Sequence, residues 1–562
     1  MGTSGCSGVM SVQSFEKHYP PGVRWDTPIV GRTLQSLLDA AIEKFTARTA
    51  FDFRDKPITF TDLGKLVDTA AAAFLRAGYG RDTSVALYIG NTPDHPINFF
   101  GALKAGARIV HLSPLDGEIA LSHKLSDSGA RVLVTTNLAM MMPMALKFLA
   151  RGLIDRLIVC DDASWGNVGN PVMPLPDDKR IMRYADFVAG AVAPAHWPEI
   201  RPDDIALLQY TGGTTGLPKG AMLTHGNLTA AVDIFDVWGT PGRAKRGGVI
   251  ERTICVLPLF HIFALTTVML LGLKHGNTIS LHQRFDVEAV MRDIEVKRAT
   301  GFPGVPTMWI AIAALPDLEK RDLSSLVYAG SGGAPLPVEV AKILASRTGM
   351  SLRSGWGMTE TCSSGTANPA EGPDKPASIG LPLPGIELDI VSLDDLKKVL
   401  PVGETGEIRI KGPNVTKGYW NKPKETAEAF VGDKFLTGDI GYVDDDGYYY
   451  IVDRKKDMIL SGGFNVYPQM IEQAIYQHPL VQEVIVIGIP DQYRGEAAKA
   501  FVKLRAGAEA FTLDALRDFL AGKIGKHEMP AALEFRDDLP KTTVGKLSRH
   551  ELRVEAQKQA KA

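Results

Sequence analysis

The stretch YTGGTTGLPKGAMLTH, residues 210–225, decides how this chain is interpreted, because a strand pattern runs directly into a loop of small and polar residues. Between residues 211 and 219 the loop holds three glycines, three threonines and Lys219. Backbone N–H groups and hydroxyls in such a loop can point at phosphate oxygens, and the lysine adds a positive charge. A Walker A loop needs glycine directly before its lysine, whereas Pro218 stands there, so a GTPase-like or kinase-like site is disfavoured.

Outward from this loop, short β-branched runs alternate with helical patterns, which predicts an α/β fold of parallel-rich sheets with helices on their faces. Several of these strands run into turns rich in glycine or proline. Ligands in such folds bind beyond the carboxyl ends of the strands, so we expect these turns to border one crevice. The strand patterns are SVALYIG (84–90), RIVHL (108–112), RVLVTT (131–136), LIVCDD (157–162), DIALLQYT (204–211), TICVLPL (253–259), SSLVYAG (324–330) and SLRSGWG (351–357).

After Pro401 the pattern changes to hairpins, with Asp-Gly at 446–447 marking a tight turn. The aspartates before that turn lack the spacing and the terminal glutamate of a calcium loop. Beyond residue 456 we expect a helix at 468–477, strands at 481–489 and 499–504, and a helix at 512–524. The sequence thus predicts a flexible lead-in, a large domain that is β-rich near 380–455, and a small α+β domain, spanning 1–15, 16–455 and 456–562 respectively.

Composition excludes several classes of protein. The 562 residues carry 62 Lys and Arg against 64 Asp and Glu, a net charge of −2, so no overall field attracts nucleic acid. The four cysteines are too scattered for a metal site and too few for a disulfide framework, which favours a cytoplasmic protein. The N-terminus lacks the basic start and apolar run of a signal peptide. The longest apolar stretch, 256–273, contains Pro258 and His261 and is expected to be buried rather than transmembrane.

Five further motifs follow the glycine-rich loop in order: SGGAPL (331–336), GWGMTET (355–361), TGD (437–439), DRKKDMILSGGFNVYP (453–468) and PKTTVGK (540–546). With these motifs the chain resembles, over nearly its whole length, the superfamily of adenylate-forming enzymes. That superfamily comprises acyl-CoA synthetases, adenylation domains of peptide synthetases and beetle luciferases. The resemblance implies that ATP, Mg²⁺ and coenzyme A are used, first to form an acyl-adenylate and pyrophosphate and then a thioester.

The resemblance also implies an ATP site. Glu360 and Thr215 would hold the magnesium, a cation that prefers oxygen ligands. Trp356 would stack on adenine, since we expect its flanking glycines to expose the ring. Asp439 would accept both ribose hydroxyls, with Arg454 as a second ribose contact. The remaining implied ATP or AMP contacts are Thr211, Gly212, Gly213, Thr214, Gly216, Lys219, Gly332, Gly333, Ala334, Gly355, Gly357, Met358 and Thr359.

Catalysis would depend on Lys546, which by resemblance bridges the substrate carboxylate and the α-phosphate. Acetylation would remove its charge, so a lysine acetyltransferase and deacetylase are possible partners. His261 would border the carboxylate as a gate rather than as a proton acceptor. CoA would reach the site past Ser461, Gly462 and Gly463. Because the small domain carries both Lys546 and Gly463, it must turn between the two steps, with the hinge at Lys456.

The acid is less well defined by the sequence. The stretch SGGFNVYPQMIE (461–472) is similar to fatty acyl-CoA synthetases, and an apolar pocket favours a medium- or long-chain fatty acid. An aryl acid would fit similar chemistry, and a dicarboxylic acid would need a cation at the far end of the pocket, whether Arg284 or another base. A stand-alone adenylation enzyme that loads a carrier protein is a further alternative. The candidate acyl-binding residues are Phe235, Trp238, His261, Val305 and Gly330.

Overall fold

A computed structural model of the protein describes residues 15–166, 168–211, 217–247, 249–373, 375, 377–542 and 545–561. The predicted α/β class is confirmed: two large, mainly parallel sheets are followed by an antiparallel sheet and by a smaller sheet near the C-terminus. The predicted lead-in, 1–15, lies almost wholly outside the described residues.

The first large sheet has seven strands and carries the glycine-rich loop at its edge. Its inner strands are rich in β-branched and other apolar residues and are buried, as strands covered on both faces must be. Every pairing is parallel except the last, which joins Ile205–Thr211 to Lys219–Thr224. In spatial order the strands are Ile181–Arg183, Arg156–Cys160, Val132–Thr136, Ser84–Tyr88, Arg108–His111, Ile205–Thr211 and Lys219–Thr224.

The second large sheet has nine strands and supplies the opposite wall of the crevice. Its central strands are parallel, and antiparallel strands close both edges. In spatial order they are Leu381–Pro382, Thr366–Ala367, Arg353–Trp356, Tyr328–Ser331, Gly301–Gly304, Arg252–Cys255, Thr278–Leu281, Thr49–Phe53 and Lys56–Thr59.

Helices cover the faces of both sheets and bury apolar stripes against them. The helix Phe60–Arg76, for example, is capped at its N-terminus by Thr59, whose side chain accepts a hydrogen bond from the Asp62 N–H. It buries Leu63, Val67 and Phe74. The helices of this region are Leu34–Phe45, Phe60–Arg76, Asp94–Lys104, Glu118–Ser128, Met142–Ala150, Tyr184–Val188, His225–Lys245, Leu271–His275, Val287–Glu295, Pro306–Ala313, Val338–Thr348 and Pro423–Glu428, with 3₁₀ turns at Asp162–Trp165, Leu318–Lys320 and Thr359–Thr361 and a π-helix at Ala264–Leu270.

The predicted hairpins form a five-stranded antiparallel sheet. Lys434–Val443 pairs with Tyr449–Arg454, and Gly447 in the connecting turn has a φ of 86°, a conformation that favours glycine. The other strands are Glu387–Val391, Gly406–Lys411 and Phe430–Val431.

The small C-terminal sheet has its own hydrophobic core, formed by residues between Ile459 and Phe535. The helices Pro468–Tyr476 and Leu513–Leu520 contribute to that core, and the helix Arg549–Lys561 follows the Lys546 loop. A separate core is what an independently packed domain requires. The strands are Phe464–Val466, Ile459–Ser461, Gly495–Leu504, Val481–Asp491 and Ala532–Phe535.

One predicted strand, TICVLPL at 253–259, is shorter than expected and ends at Cys255. The Asn91 side chain takes over the backbone hydrogen bonding there, since its amide donates to the Leu257 carbonyl at 3.0 Å and its oxygen accepts from the Leu259 N–H at 2.8 Å. The predicted helix at 512–524 is likewise shorter, and the strand predicted at 324–330 begins only at Tyr328. The stretch 256–273 is mostly buried, and no helix in the part of the chain that the structure describes is long and apolar enough to cross a bilayer.

Candidate active site

A cavity of about 2480 Å³ opens between the carboxyl ends of the two large sheets. His111 and Thr211 end strands of the seven-stranded sheet, Ser331 and Trp356 end strands of the nine-stranded sheet, and all four line the cavity. This is the crevice that the strand pattern predicts.

The small domain reaches into this cavity through the loop that carries Lys546. The Thr307 hydroxyl donates to the Gly545 carbonyl at 2.7 Å, which fixes the loop against the large domain. The Lys546 Nζ lies 2.9 Å from the point where a Cβ on Gly333 would stand, and Gly333 has a φ of 80°, a backbone conformation that favours glycine.

The Lys546 ammonium forms no ion pair with any residue that the structure describes. Burial, and then the positive charge of Arg454, lower the pKa of Lys546 to about 8. A desolvated cation that has no counter-ion is prepared to bind an anionic ligand.

A second group of residues connects the glycine-rich loop to Glu360. Thr211 and Lys219 face each other across an antiparallel ladder, and the Lys219 Nζ lies 4.3 Å from the centre of the Tyr419 ring. The Tyr419 hydroxyl donates to Glu360 Oε1 at 2.8 Å. Burial raises the pKa of Glu360, while this hydrogen bond opposes the shift. The predicted contacts Gly212, Gly213, Thr214, Thr215 and Gly216 lie outside the described residues.

Trp356 and Arg454 both contact Asp439. The Trp356 indole N–H donates to Asp439 Oδ2 at 2.8 Å, and the Arg454 Nε lies 3.0 Å from Asp439 Oδ1. The negative charge of Asp439 raises the pKa of Arg454. The expectation that flanking glycines expose the indole is wrong: Trp356 is 9% exposed, because Gly365 packs directly against its ring. The indole still lines the cavity, so stacking on adenine stays a prediction.

His261 lies at the cavity wall above a buried network of polar side chains. The Gln209 amide donates to the Phe260 carbonyl at 3.0 Å, and Gln209 Oε1 is 3.0 Å from His111 Nδ1. Burial, and then the charge of Lys546, lower the pKa of His261 to about 3. A histidine that stays neutral throughout the working pH range is a poor proton acceptor and is compatible with a gating role.

The proposed acyl-binding residues divide into two groups. Phe235 and Trp238 line the cavity together with His261. Val305 is buried in the core and Gly330 is covered, so neither is part of the cavity wall. The covering group is the Tyr328 hydroxyl, which lies 2.4 Å from where a Cβ on Gly330 would stand.

The remaining predicted residues also divide by position. Gly332, Ala334, Gly355, Gly357, Met358, Thr359 and Lys456 line the cavity. Ser461, Gly462 and Gly463 lie elsewhere: Ser461 is buried in its strand, and the two glycines are exposed, with φ values of 59° and 84° and no atom within 4 Å of an added Cβ. The structure therefore brings Lys546 together with those predicted ATP residues that it describes, and leaves the predicted CoA residues apart.

Sequence reasoning missed Tyr419, Tyr328 and Gln209. Tyr419 stands in GYW at 418–420. An aromatic residue after a glycine can be noticed in the sequence, but this pattern is too common to identify a site residue. Tyr328 and Gln209 stand inside apolar strand patterns, where a lone polar group could have suggested a wall residue.

Comparison with known proteins agrees with this geometry. Residues 38–420 match the family model of the AMP-binding enzyme, and residues 470–546 match that of the AMP-binding enzyme C-terminal domain. The chain therefore belongs to the AMP-binding enzyme family.

Individual relatives cover nearly the whole chain. It is 38% identical to a long-chain-fatty-acid–CoA ligase of Bacillus subtilis (strain 168), over 97% of this chain and 98% of that protein. It is 37% identical to a feruloyl-CoA synthase of Amycolatopsis sp, over 88% of this chain and 93% of that protein. Among solved structures, the anthranilate CoA ligase AuaEII in complex with anthranoyl-AMP has a TM-score of 0.83 and 26% identity, over 96% of this chain and 99% of that one.

Proposed function

We propose that the protein is an ATP-dependent carboxylic acid:CoA ligase that acts through an acyl-adenylate, most readily on medium- or long-chain fatty acids. The observation that carries this proposal is the Lys546 ammonium, which the small domain delivers to the mouth of the ATP crevice without a protein counter-ion. The anionic partner that this cation lacks would be the acid carboxylate and the α-phosphate that it attacks.

In the first step a carboxylate oxygen attacks the α-phosphorus of ATP, and the bond to the bridging oxygen of pyrophosphate breaks. Attack brings two anionic groups together, so positive charge must be held near both. Lys546 supplies that charge at the reacting atoms, and Lys219 supplies it at the outer phosphates. His261, being neutral, adds no charge of its own and can shape the carboxylate site.

The nucleoside would lie across Trp356 and Asp439. One carboxylate oxygen of Asp439 already accepts from the indole and the other from Arg454, so the ribose hydroxyls would share these oxygens. The two protein donors hold the carboxylate in place before ATP arrives, which lowers the entropy lost on binding.

Glu360 fits a magnesium ion that arrives with ATP. Its Oε1 accepts from Tyr419, whereas Oε2 has no hydrogen-bond partner among the described side chains. Mg²⁺ usually takes one or two carboxylates together with substrate phosphates and water, and it would neutralise phosphate charge. Among the residues described, no group of three or more potential ligands forms a dedicated metal cage. Thr215, the second ligand that we propose, lies outside that set.

In the second step the CoA sulfur attacks the acyl carbon and AMP leaves. We propose that the small domain turns about Lys456 so that Ser461, Gly462 and Gly463 replace the Lys546 loop at the crevice. The exposed position of the two glycines in the present arrangement supports this exchange. Acetylation of Lys546 by a lysine acetyltransferase, reversed by a deacetylase, would block the first step by removing the charge.

The fatty-acid assignment rests on the Bacillus subtilis relative, whose name specifies long-chain fatty acids, and on Phe235 and Trp238 in the cavity wall. An aryl acid is the second candidate. It is favoured by the Tyr328 hydroxyl at the cavity wall, which has no hydrogen-bond partner among the described residues and belongs to a residue that is 48% exposed. A planar acid that bears a hydroxyl or methoxy group could satisfy that phenol.

The test is AMP release from MgATP across a panel of alkyl and aryl acids, with free CoA present or absent. The proposal predicts AMP release that requires both the acid and free CoA, and is greatest with a fatty acid. Greatest release with an aryl acid would favour the second candidate. Acid-dependent pyrophosphate exchange without any thioester from free CoA would instead indicate a protein that loads a carrier.

A further inference from the structure

The part of the cavity that extends away from Lys546 is a channel between one helix and one sheet. Phe235, Gly239 and Gly242 line it along one face of the helix His225–Lys245, and the helix advances about 15 Å from Phe235 to its end. The opposite wall runs from Gly332 back to Val327, about 16 Å along a strand. Since an extended chain advances about 3.4 Å for every three backbone bonds, this length accommodates about fourteen bonds.

The far end of this channel is charged rather than apolar. Arg243 and Arg246 line it, and each folds back over the glycine one helical turn before it. Arg243 Nη1 lies 2.6 Å from where a Cβ on Gly239 would stand, and Arg246 Nη1 lies 3.3 Å from the corresponding point on Gly242. Side chains on a helix lean toward its N-terminus, so these two nitrogens point along the channel toward the reaction centre.

Each guanidinium is hydrogen-bonded to the protein through part of its nitrogens, while its Nη1 group packs over the glycine of the preceding helical turn. Arg243 donates through Nη2 to Thr240 Oγ1 at 2.9 Å and to the Asp236 carboxylate. Arg246 donates through Nε to Glu251 Oε1 at 2.9 Å. The Nη1 group of neither arginine has a hydrogen-bond partner among the residues that the structure describes.

The surrounding charges do not cancel. Lys274 lies 2.6 Å from Asp233 and close to Asp236, and Arg32 lies 2.8 Å from Asp233. His275 is 3.1 Å from Asp236, but burial lowers its pKa to about 4, so it is neutral near pH 7. The cations Arg32, Arg243, Arg246 and Lys274 therefore outnumber the carboxylates Asp233, Asp236 and Glu251, and Arg353, which also lines the cavity, has no ion pair among the described residues.

We propose that the Nη1 groups of Arg243 and Arg246 form a binding site for the distal carboxylate of a long α,ω-dicarboxylic acid, whose other carboxylate is adenylated. The proposal rests on the ligase function above and extends its fatty-acid substrates to those that carry a second, terminal carboxylate. A carboxylate matches the planar donor groups of a guanidinium. Arg284, the cation considered from the sequence, is exposed and lies outside the cavity wall.

The test compares kcat/KM for tetradecanedioic acid with kcat/KM for tetradecanoic acid, measured as CoA-dependent AMP release. The wild-type protein should activate the diacid. Arg243→Met and Arg246→Met should each lower the diacid-to-monoacid ratio about 10- to 100-fold, the effect of losing one charged hydrogen bond. Arg298→Met removes an arginine that pairs with Asp322 on the surface and should leave the ratio unchanged.

Turnover of the monoacid shows that each variant is folded, so a misfolded variant cannot imitate the result. An unchanged ratio in both arginine variants would overturn the proposal, and so would a wild-type protein that activates tetradecanoic acid alone. If 14-hydroxytetradecanoic acid is preferred to the diacid and responds to the same variants, the end of the channel recognises a hydroxyl and the carboxylate proposal is wrong. If neither the diacid nor the monoacid is activated, the ligase function itself fails.

Discussion

Two loops of the small domain lie in opposite surroundings. The loop of Lys546 is docked on the large domain through Thr307 and places its ammonium against Gly333. The turn Gly462–Gly463 is exposed and contacts nothing at its Cβ positions. Both motifs belong to one packed unit with its own core. This difference supports our proposal that one rigid body carries the groups for two chemical steps and presents one set at a time.

The largest expected effect is on the docked loop. Lys546→Ala should lower acid-dependent pyrophosphate exchange about 10²- to 10³-fold, because it removes a preorganised charge from the reacting phosphorus. Thioester formation from a supplied acyl-adenylate should change little. Lys526→Ala, an exposed lysine of the same domain, is the control. Equal losses in both steps would contradict the claim that the Lys546 loop acts in the first step alone.

The exposed turn should show the reverse pattern. Gly463→Leu should lower thioester formation about 30-fold, equivalent to about 2 kcal/mol, while pyrophosphate exchange is retained. Gly463 has a φ of 84°, so part of any loss reflects backbone strain. Gly507→Leu controls for this, since Gly507 has a φ of 78°, is equally exposed and lies in the same domain. A loss of exchange in Gly463→Leu, with Gly507→Leu normal, would place this turn in the first step.

The pH dependence of the first step should show the titration of Lys546. Its pKa is lowered to about 8 by burial and by Arg454, so the required cation is lost as pH rises above 8. We expect kcat/KM for pyrophosphate exchange to fall about tenfold for each pH unit beyond that pKa. In Lys546→Arg any residual exchange should not show this fall, because arginine stays charged. A wild-type profile that stays flat to pH 9.5 would contradict the assigned role.

The smallest effect is expected at Tyr419. Tyr419→Phe removes the 2.8 Å hydrogen bond to Glu360 and should raise KM for MgATP about 3- to 10-fold, the effect of one hydrogen bond. The increase in KM should be larger at low magnesium, because a Glu360 that has lost the Tyr419 hydrogen bond is less well oriented to bind the ion. Tyr493→Phe, at an exposed position, is the control. If the increase in KM caused by Tyr419→Phe is the same at every magnesium concentration, Tyr419 has no role in metal binding.

These regions also differ in how far the sequence predicts them. Lys219, Asp439 and Lys546 stand in local motifs whose glycine and threonine spacing is visible along the chain, and the alternating strand patterns predict the crevice. Asn91 and Tyr419 act through contacts with other segments: Asn91 bonds to the loop after Cys255, and Tyr419 bonds to Glu360. Such contacts depend on tertiary packing. A sequence pattern can therefore predict where a strand lies, but it does not predict which distant residue a polar side chain will contact.

The sequence is equally uninformative about the far end of the proposed acyl channel. Arg243 and Arg246 stand in a polar stretch, GTPGRAKRGG, that reads as a solvated helix end. Only the tertiary structure places this helix end, and with it both guanidinium groups, at the wall of the cavity. The proposed carboxylate site thus depends on residues that no motif identifies.

The central claim, that the small domain turns between the two steps, is tested most directly by a distance between the domains. Spin labels at Val192→Cys and Asp514→Cys, in a protein that also carries Cys6→Ser, would report it, since both positions are highly exposed and the described cysteines Cys160, Cys255 and Cys362 are buried. With a non-reactive acyl-adenylate analogue alone we predict one distance, that of the present arrangement. Addition of CoA should produce a second, clearly separated distance at the expense of the first. A single unchanged distance with CoA bound, in a protein that makes the thioester, would show that one arrangement serves both steps.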